Sequence, residues 1–145
     1  MNSAFASWQL WALLAAAFAA MTAIFAKIGV ENVGSDFATL IRTAIVFTVL
    51  AIIIAASGQW QPLREISNRT WIFLTLSGLA TGASWLCYFR ALKLGNASQV
   101  APVDKLSVVL VAIFGAIFLG EKLSGINWLG VALISAGAVL VAYRF

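Results

Sequence analysis

At 145 residues, 63% hydrophobic and 10% charged, with a mean hydropathy of +1.01, the chain is too apolar for a soluble domain and reads as a membrane protein. Its net charge of +4 arises from nine Lys and Arg scattered over loops and helix ends, which argues against nucleic acid and for membrane lipid headgroups as the counter-charge. The sequence has no His and a single Cys87 without a disulfide or metal-ligand partner, and no nucleophile stands beside a base, so an enzyme, a metal site and a cofactor are not expected.

A bilayer core of about 30 Å takes about 20 mostly apolar helical residues. Five segments fit: residues 8–26, 37–57, 71–89, 98–119 and 127–143. The opening "MNSAFASWQL" lacks a charged n-region, and the apolar run behind it is too long for a signal peptide, so the first span is expected to be retained. The connections "KIGVENVGSD", "GQWQPLREISNRT", "RALKLGNA" and "GEKLSG" each carry Gly, Pro, Asn or charge. They leave no room for a soluble domain, and residues 1–145 are expected to form one domain. Small residues recur at four-residue spacing, as in Ala15, Ala19 and Ala23 of span one and Gly78 and Gly82 of span three. Such faces are expected to pack helices closely.

An odd number of spans puts the two chain ends on opposite sides. Side A, which holds the N-terminus, collects Arg64, Arg69 and Lys122; side B collects Lys27, Arg90, Lys93 and Arg144. Orientation follows the Lys and Arg excess of short loops, and three against four is almost no excess. Insertion both ways round is therefore expected, with an antiparallel homodimer of ten helices related by a two-fold axis in the membrane plane. The alternative is one orientation set by weaker cues such as the aromatics: Trp8, Trp11, Trp60, Trp71 and Trp128 fall at or near side A, as an interfacial belt would.

Spans two and four both enter from side B. Counted from their starts, Arg42, Asp104 and Lys105 lie about 8 to 10 Å inside, and Trp85 and Tyr88, counted back from the end of span three, reach the same layer. A charge at a membrane helix centre costs on the order of 3 kcal/mol, so Asp104 is expected to face Arg42 or another cation across a helix interface. Asp104 and Lys105, about 100° apart on a helix, are expected to point at different things. With all three ionised one positive charge is left over, which would attract an anionic or carboxylate-bearing solute. Alternatively Arg42 and Lys105 reach out to headgroups and Asp104 forms a structural bridge. Pro102 adds a backbone feature. If its helix begins before Ser98, the proline frees the Ser98 carbonyl and suggests a cavity or hinge; if it begins near Ala101, the proline is harmless in a first turn.

The stretch from Gly78 to Tyr143 resembles the EamA domain of the drug/metabolite transporter superfamily, in particular its single-domain five-helix bacterial and archaeal transporters. "YFRAL" at 88–92, "APVDKLSVV" at 101–109 and "LGE" at 119–121 stand in the family's order before a Gly-rich last helix, and "IRTAIVF" at 41–47 fits its second span. The resemblance implies a multi-pass protein of the bacterial inner membrane that moves a small organic solute such as an amino acid, metabolite or drug. It also implies longer relatives built as two fused copies of inverted topology. The four-helix small multidrug resistance family carries a Glu in its first span; span one here has no acidic residue, which counts against that coupling scheme. Glu121 matches the family's Glu after the fourth helix. A carboxylate there opposes the helix dipole, so it is expected to have a structural loop role with a partner such as Lys122 or the start of span five.

The expected fold is thus an all-α integral membrane protein with five transmembrane helices, paired as an antiparallel homodimer. Its expected transport path is lined by Asp104, Lys105, Arg42, Trp85 and Tyr88, with Pro102 as helix irregularity. The rival reading is a non-transporting half or interaction partner of a heterodimeric complex. A channel is disfavoured by the lack of carboxylate rings or a filter-like loop.

Overall fold

The computed structural model describes residues 8–143. The first seven residues and Arg144, the last of the side B cations, lie outside the described part. Among the described residues the structure is helical: α1 (Trp8–Gly29), α2 (Ser35–Ser57), a 3₁₀ turn (Leu63–Glu65), α3 (Asn68–Leu94), α4 (Ala97–Asp104), α5 (Ser107–Phe118) and α6 (Gly125–Ala142). Five helical stretches are long and apolar enough to cross a membrane, α4 and α5 together forming the fourth. The expected spans are all present. The third is longer than the sequence pattern suggested, 27 residues against the 19 apolar ones, because Arg90 to Leu94 are good helix formers that carry the helix past its apolar part.

Local chemistry sets the ends. Ser67 caps α3: its Oγ accepts from the Thr70 amide at 3.1 Å and meets the Thr70 hydroxyl at 2.8 Å. Ser124 caps α6, accepting from the Asn127 amide at 3.3 Å. α2 stops at Gly58, whose φ of +66° lets the Gln59 amide donate back to Ile54 at 3.2 Å. An added Cβ on Gly58 would meet nothing, so the cost of a side chain there is backbone strain alone. Gly58→Ala is expected to lower the unfolding free energy in detergent by about 1–2 kcal/mol, read as a drop in the midpoint of denaturant unfolding.

Several hydroxyls inside the spans are satisfied within their own helices, as suits a medium without water. Thr39, Thr43 and Thr48 of α2 donate to the carbonyls four residues back at 2.8–2.9 Å, and Thr81 of α3 and Ser135 of α6 do the same. Most large apolar side chains point outward, among them Phe18, Phe25, Phe47, Leu79, Ile117 and Leu133, and so are left for lipid or a partner.

The chain divides into two compact units, one comprising α1, α4, α5 and α6 and the other running from Ile28 to Lys93. In the first, α4 and α5 both pack on α6. Alanines 15, 16, 19, 20 and 23 form one wall of an open groove of 540 Å³, completed by Ala101, Pro102 and Lys105. In the second, Phe89 and Leu92 of α3 and Thr39 of α2 are buried. Among the described residues a Cβ at Gly78 or Gly82 would meet nothing within 4 Å, so the close packing expected there is not made by them.

Candidate functional site

In the Ile28–Lys93 unit the second and third spans bring together Arg42, Trp85 and Phe89. Arg42 lies seven residues into α2 and Trp85 nine residues before the end of α3, which brings both to the side B half of the span. The Arg42 guanidinium carbon lies 4.3 Å from the Trp85 ring centre and 5.6 Å from that of Phe89. Arg42, Trp85 and Tyr88 are half-buried, and Phe89 is buried. Contact with an aromatic face holds a cation by about 0.5–2 kcal/mol, against about 2.5–3.5 kcal/mol for an Arg at a membrane helix centre. The rings thus offset part of that cost.

The other two side B cations of this unit are bound to oxygen. Arg90 donates to both carboxylate oxygens of Asp36, Nε to Oδ1 at 3.1 Å and Nη2 to Oδ2 at 2.8 Å, and Lys93 Nζ donates to the Val33 carbonyl at 2.6 Å. The four-helix unit has a similar tie, from Lys27 Nζ to the Gly95 carbonyl at 2.8 Å. Sequence reasoning counted these residues as loop charge and missed their partners. Asp36, an acid in the first turn of a span, was the available signal.

In the other unit the fourth span is interrupted. α4 begins at Ala97, so Pro102 is its sixth residue and not part of a first turn; the ladder loses the bond an amide at 102 would give Ser98. The regular helix then stops at Asp104. Lys105 keeps its bond to Ala101 at 3.2 Å, but Leu106 donates to Val103, Val108 to Lys105 and Val109 to Leu106, each at 3.0 Å. These are three-residue steps, a tightening that recurs at hinges.

Asp104 and Lys105 flank the interruption. Contrary to the expectation that they point apart, Lys105 Nζ lies 3.4 Å from Asp104 Oδ2. The physical reason is the length of the lysine side chain: Lys105 keeps its helical bond to Ala101, and its flexible stem swings back to reach the neighbouring carboxylate. Asp104 thus has a cation in the next residue. Both side chains remain accessible, at 57% for Lys105 and 36% for Asp104. Pro102 and Lys105 border the alanine-walled groove.

Glu121 is exposed and folds back on the end of α5. Its amide donates to the Gly115 carbonyl at 3.1 Å, and Oε2 lies 2.7 Å from where a Cβ on residue 115 would stand. The partner expected at Lys122 or at the start of span five is thus replaced by the buried Gly115, where only the missing side chain leaves space for the carboxylate. Gly120, at φ +69°, makes the turn that brings it back.

Five membrane-length helices, with a cation braced inside one unit and a broken, charged span beside a groove in the other, define a multi-pass membrane protein with the polar interior features of transporters. The chain belongs to the EamA-like transporter family, whose sequence profile matches residues 6–143. It is 70% identical over 136 residues to an uncharacterised transporter in the cobO 3′ region of Sinorhizobium sp, covering 94% of this chain and 96% of that one. It is 25% identical over 136 residues to the uncharacterised transporter YxxF of Bacillus subtilis strain 168, covering 93% of this chain but only 42% of that one. It is also 31% identical over 90 residues to a Yersinia pestis protein named as a probable 4-amino-4-deoxy-L-arabinose-phosphoundecaprenol flippase subunit, ArnE, covering 62% of this chain and 79% of that one. No solved structure matches.

Proposed function

We propose that this chain is a subunit of a secondary transporter that carries a small organic solute across the bacterial inner membrane by alternating access. The observation that carries this reading is the interruption of the fourth span at Lys105 and Leu106, between charged side chains and beside the 540 Å³ groove. Irregular backbone at membrane depth survives only where protein or a water-filled cavity receives its polar groups. Asp104, Lys105, Arg42, Trp85 and Tyr88 line the path, and Pro102 lets the fourth span bend as the path opens to alternate sides.

The functional assembly is an antiparallel homodimer of ten helices, each copy forming one five-helix domain. The near balance of side A and side B cations supports it. So does the Bacillus relative, of whose length this chain spans only 42%, as a half would. Tagging either end and probing its accessibility from each face of the membrane tests the pairing. Labelling of each tag from both faces is expected; labelling from one face alone overturns dual insertion.

A second reading follows from the ArnE relative, whose name calls it a flippase subunit. The partner would then be a different chain of opposite orientation and the cargo a lipid-linked one. Single-sided labelling, with recovery of an unlike five-helix protein on purification, would favour it.

A further inference from the structure

We infer that Arg42, braced on Trp85 and Phe89, is a preset fork for a carboxylate group, so that the carried solute is a carboxylic acid read by this guanidinium. The inference rests on the transport reading for its biology but on the Ile28–Lys93 unit alone for its geometry.

This unit treats the three cations toward its side B end in different ways. Arg90 has both oxygens of Asp36, and Lys93 has the Val33 carbonyl. Arg42 forms neither a hydrogen bond nor an ion pair among the described residues; it lies against the two rings and interacts electrostatically with Tyr88. A guanidinium has five N–H donors, all in its plane, and an aromatic face can satisfy none of those directed along the edge. Of these three, the cation furthest from the helix ends is the one without a hydrogen bond or ion pair among the described residues.

Its position argues against simple escape to the headgroups. An Arg that snorkels stretches along its helix toward the interface. Here the guanidinium carbon lies 4.3 Å from the Trp85 ring centre, and Trp85 is four residues, about 6 Å, inside the end of the apolar part of α3. The side chain thus reaches sideways to a ring of α3 within the apolar part. Contact with two rings restricts the guanidinium, so less freedom is lost when a ligand pairs with it.

The open group then selects the ligand. A planar edge with parallel N–H donors matches the two oxygens of a carboxylate in one bidentate contact. A lysine at the same place would keep the charge but supply neither the fork nor the flat face that stacks on indole.

The test is binding, measured apart from flux. Purified wild-type protein in detergent is titrated with a panel of aliphatic, aromatic and α-amino monocarboxylic acids, each beside its primary amide, with Trp fluorescence and thermal stability as readouts. At least one acid is expected to raise the unfolding temperature and perturb the fluorescence while its amide does neither. Arg42→Lys is expected to weaken that acid at least about tenfold, the loss of one charge-assisted hydrogen bond. Trp85→Leu, which removes the brace and keeps the Arg, is expected to weaken it severalfold and serves where Arg42→Lys does not fold.

Three results overturn the inference: no acid separating from its amide, unchanged affinity in both variants, or co-purified anionic lipid whose release on Arg42→Lys assigns the fork to a headgroup phosphate. Acid binding that depends on Arg42, in protein that moves no solute in proteoliposomes, would uphold the fork and reject transport. Flux indifferent to both substitutions would do the reverse.

Discussion

Lys105→Ala is expected to reduce solute flux in proteoliposomes by at least about tenfold, and Asp104→Asn by a similar factor, with both variants still monodisperse in detergent. Lys105 Nζ borders the groove and holds Asp104 at 3.4 Å, so removing the ammonium takes the positive group from the proposed path and leaves a half-buried carboxylate without its partner. A hydrogen bond to a charged group is worth about 1.5–3 kcal/mol, and each 1.4 kcal/mol is a factor of about ten. The pair is also accessible enough that folding does not depend on it, which separates function from stability. The double variant discriminates further. If Asp104 serves only to hold Lys105, the double loss equals the single one; if each group acts on the solute, the double loss exceeds either. Flux at the wild-type level in all three variants would remove both residues from the path.

The second large effect is expected from Pro102→Ala, and it runs in opposite directions for stability and for transport. Alanine restores an amide able to donate to Ser98 in the sixth position of α4, and it removes the ring that crowds the preceding turn. In a helix interior the change from Pro to Ala favours the helix by up to about 3 kcal/mol, less where neighbouring groups already compensate. The unfolding temperature in detergent should therefore rise. Flux should fall, because a fourth span stiffened at Ser98 to Pro102 bends less readily at the three-residue steps that follow. A more stable protein with undiminished flux would make the interruption incidental to transport. A less stable one would mean that the packing of α4 and α5 on α6 depends on the bend.

The two variants probe features of unequal legibility. Pro102 could be seen in the sequence as a possible irregularity, but its consequence depended on where the helix began. That start is set at Ala97 by Asn96, whose carbonyl accepts from the Gln99 and Val100 amides at 3.0 Å, and "LGNASQVAP" is compatible with either choice. The interruption also falls beyond the proline, at a pair of residues with no turn signal of their own. It arises where the backbone trades four-residue steps for three-residue ones as both halves seat on α6.

Charges show the same division. That Arg42, Trp85 and Tyr88 share a layer followed from counting residues at a fixed rise per residue. That Arg42 stacks on Trp85, that Lys105 turns back on Asp104, and that Glu121 rests against Gly115 did not follow, because each depends on a rotamer. Long side chains reach several partners within the same spacing.

What the sequence alone determined was the number of spans, their approximate ends and their family. Those depend on hydrophobic length and on short ordered motifs, which are properties of the chain read in one dimension, and the bilayer enforces them on every helix separately. Tertiary structure alone decided which cations are spoken for. Asp36 takes Arg90, the Val33 carbonyl takes Lys93, the Gly95 carbonyl takes Lys27, and Arg42 has two rings beside it and no hydrogen bond among the described residues. The physical reason is that a hydrogen bond forms or fails over a few tenths of an ångström, a precision that periodicity along a helix cannot supply and the packing of one helix against the next can.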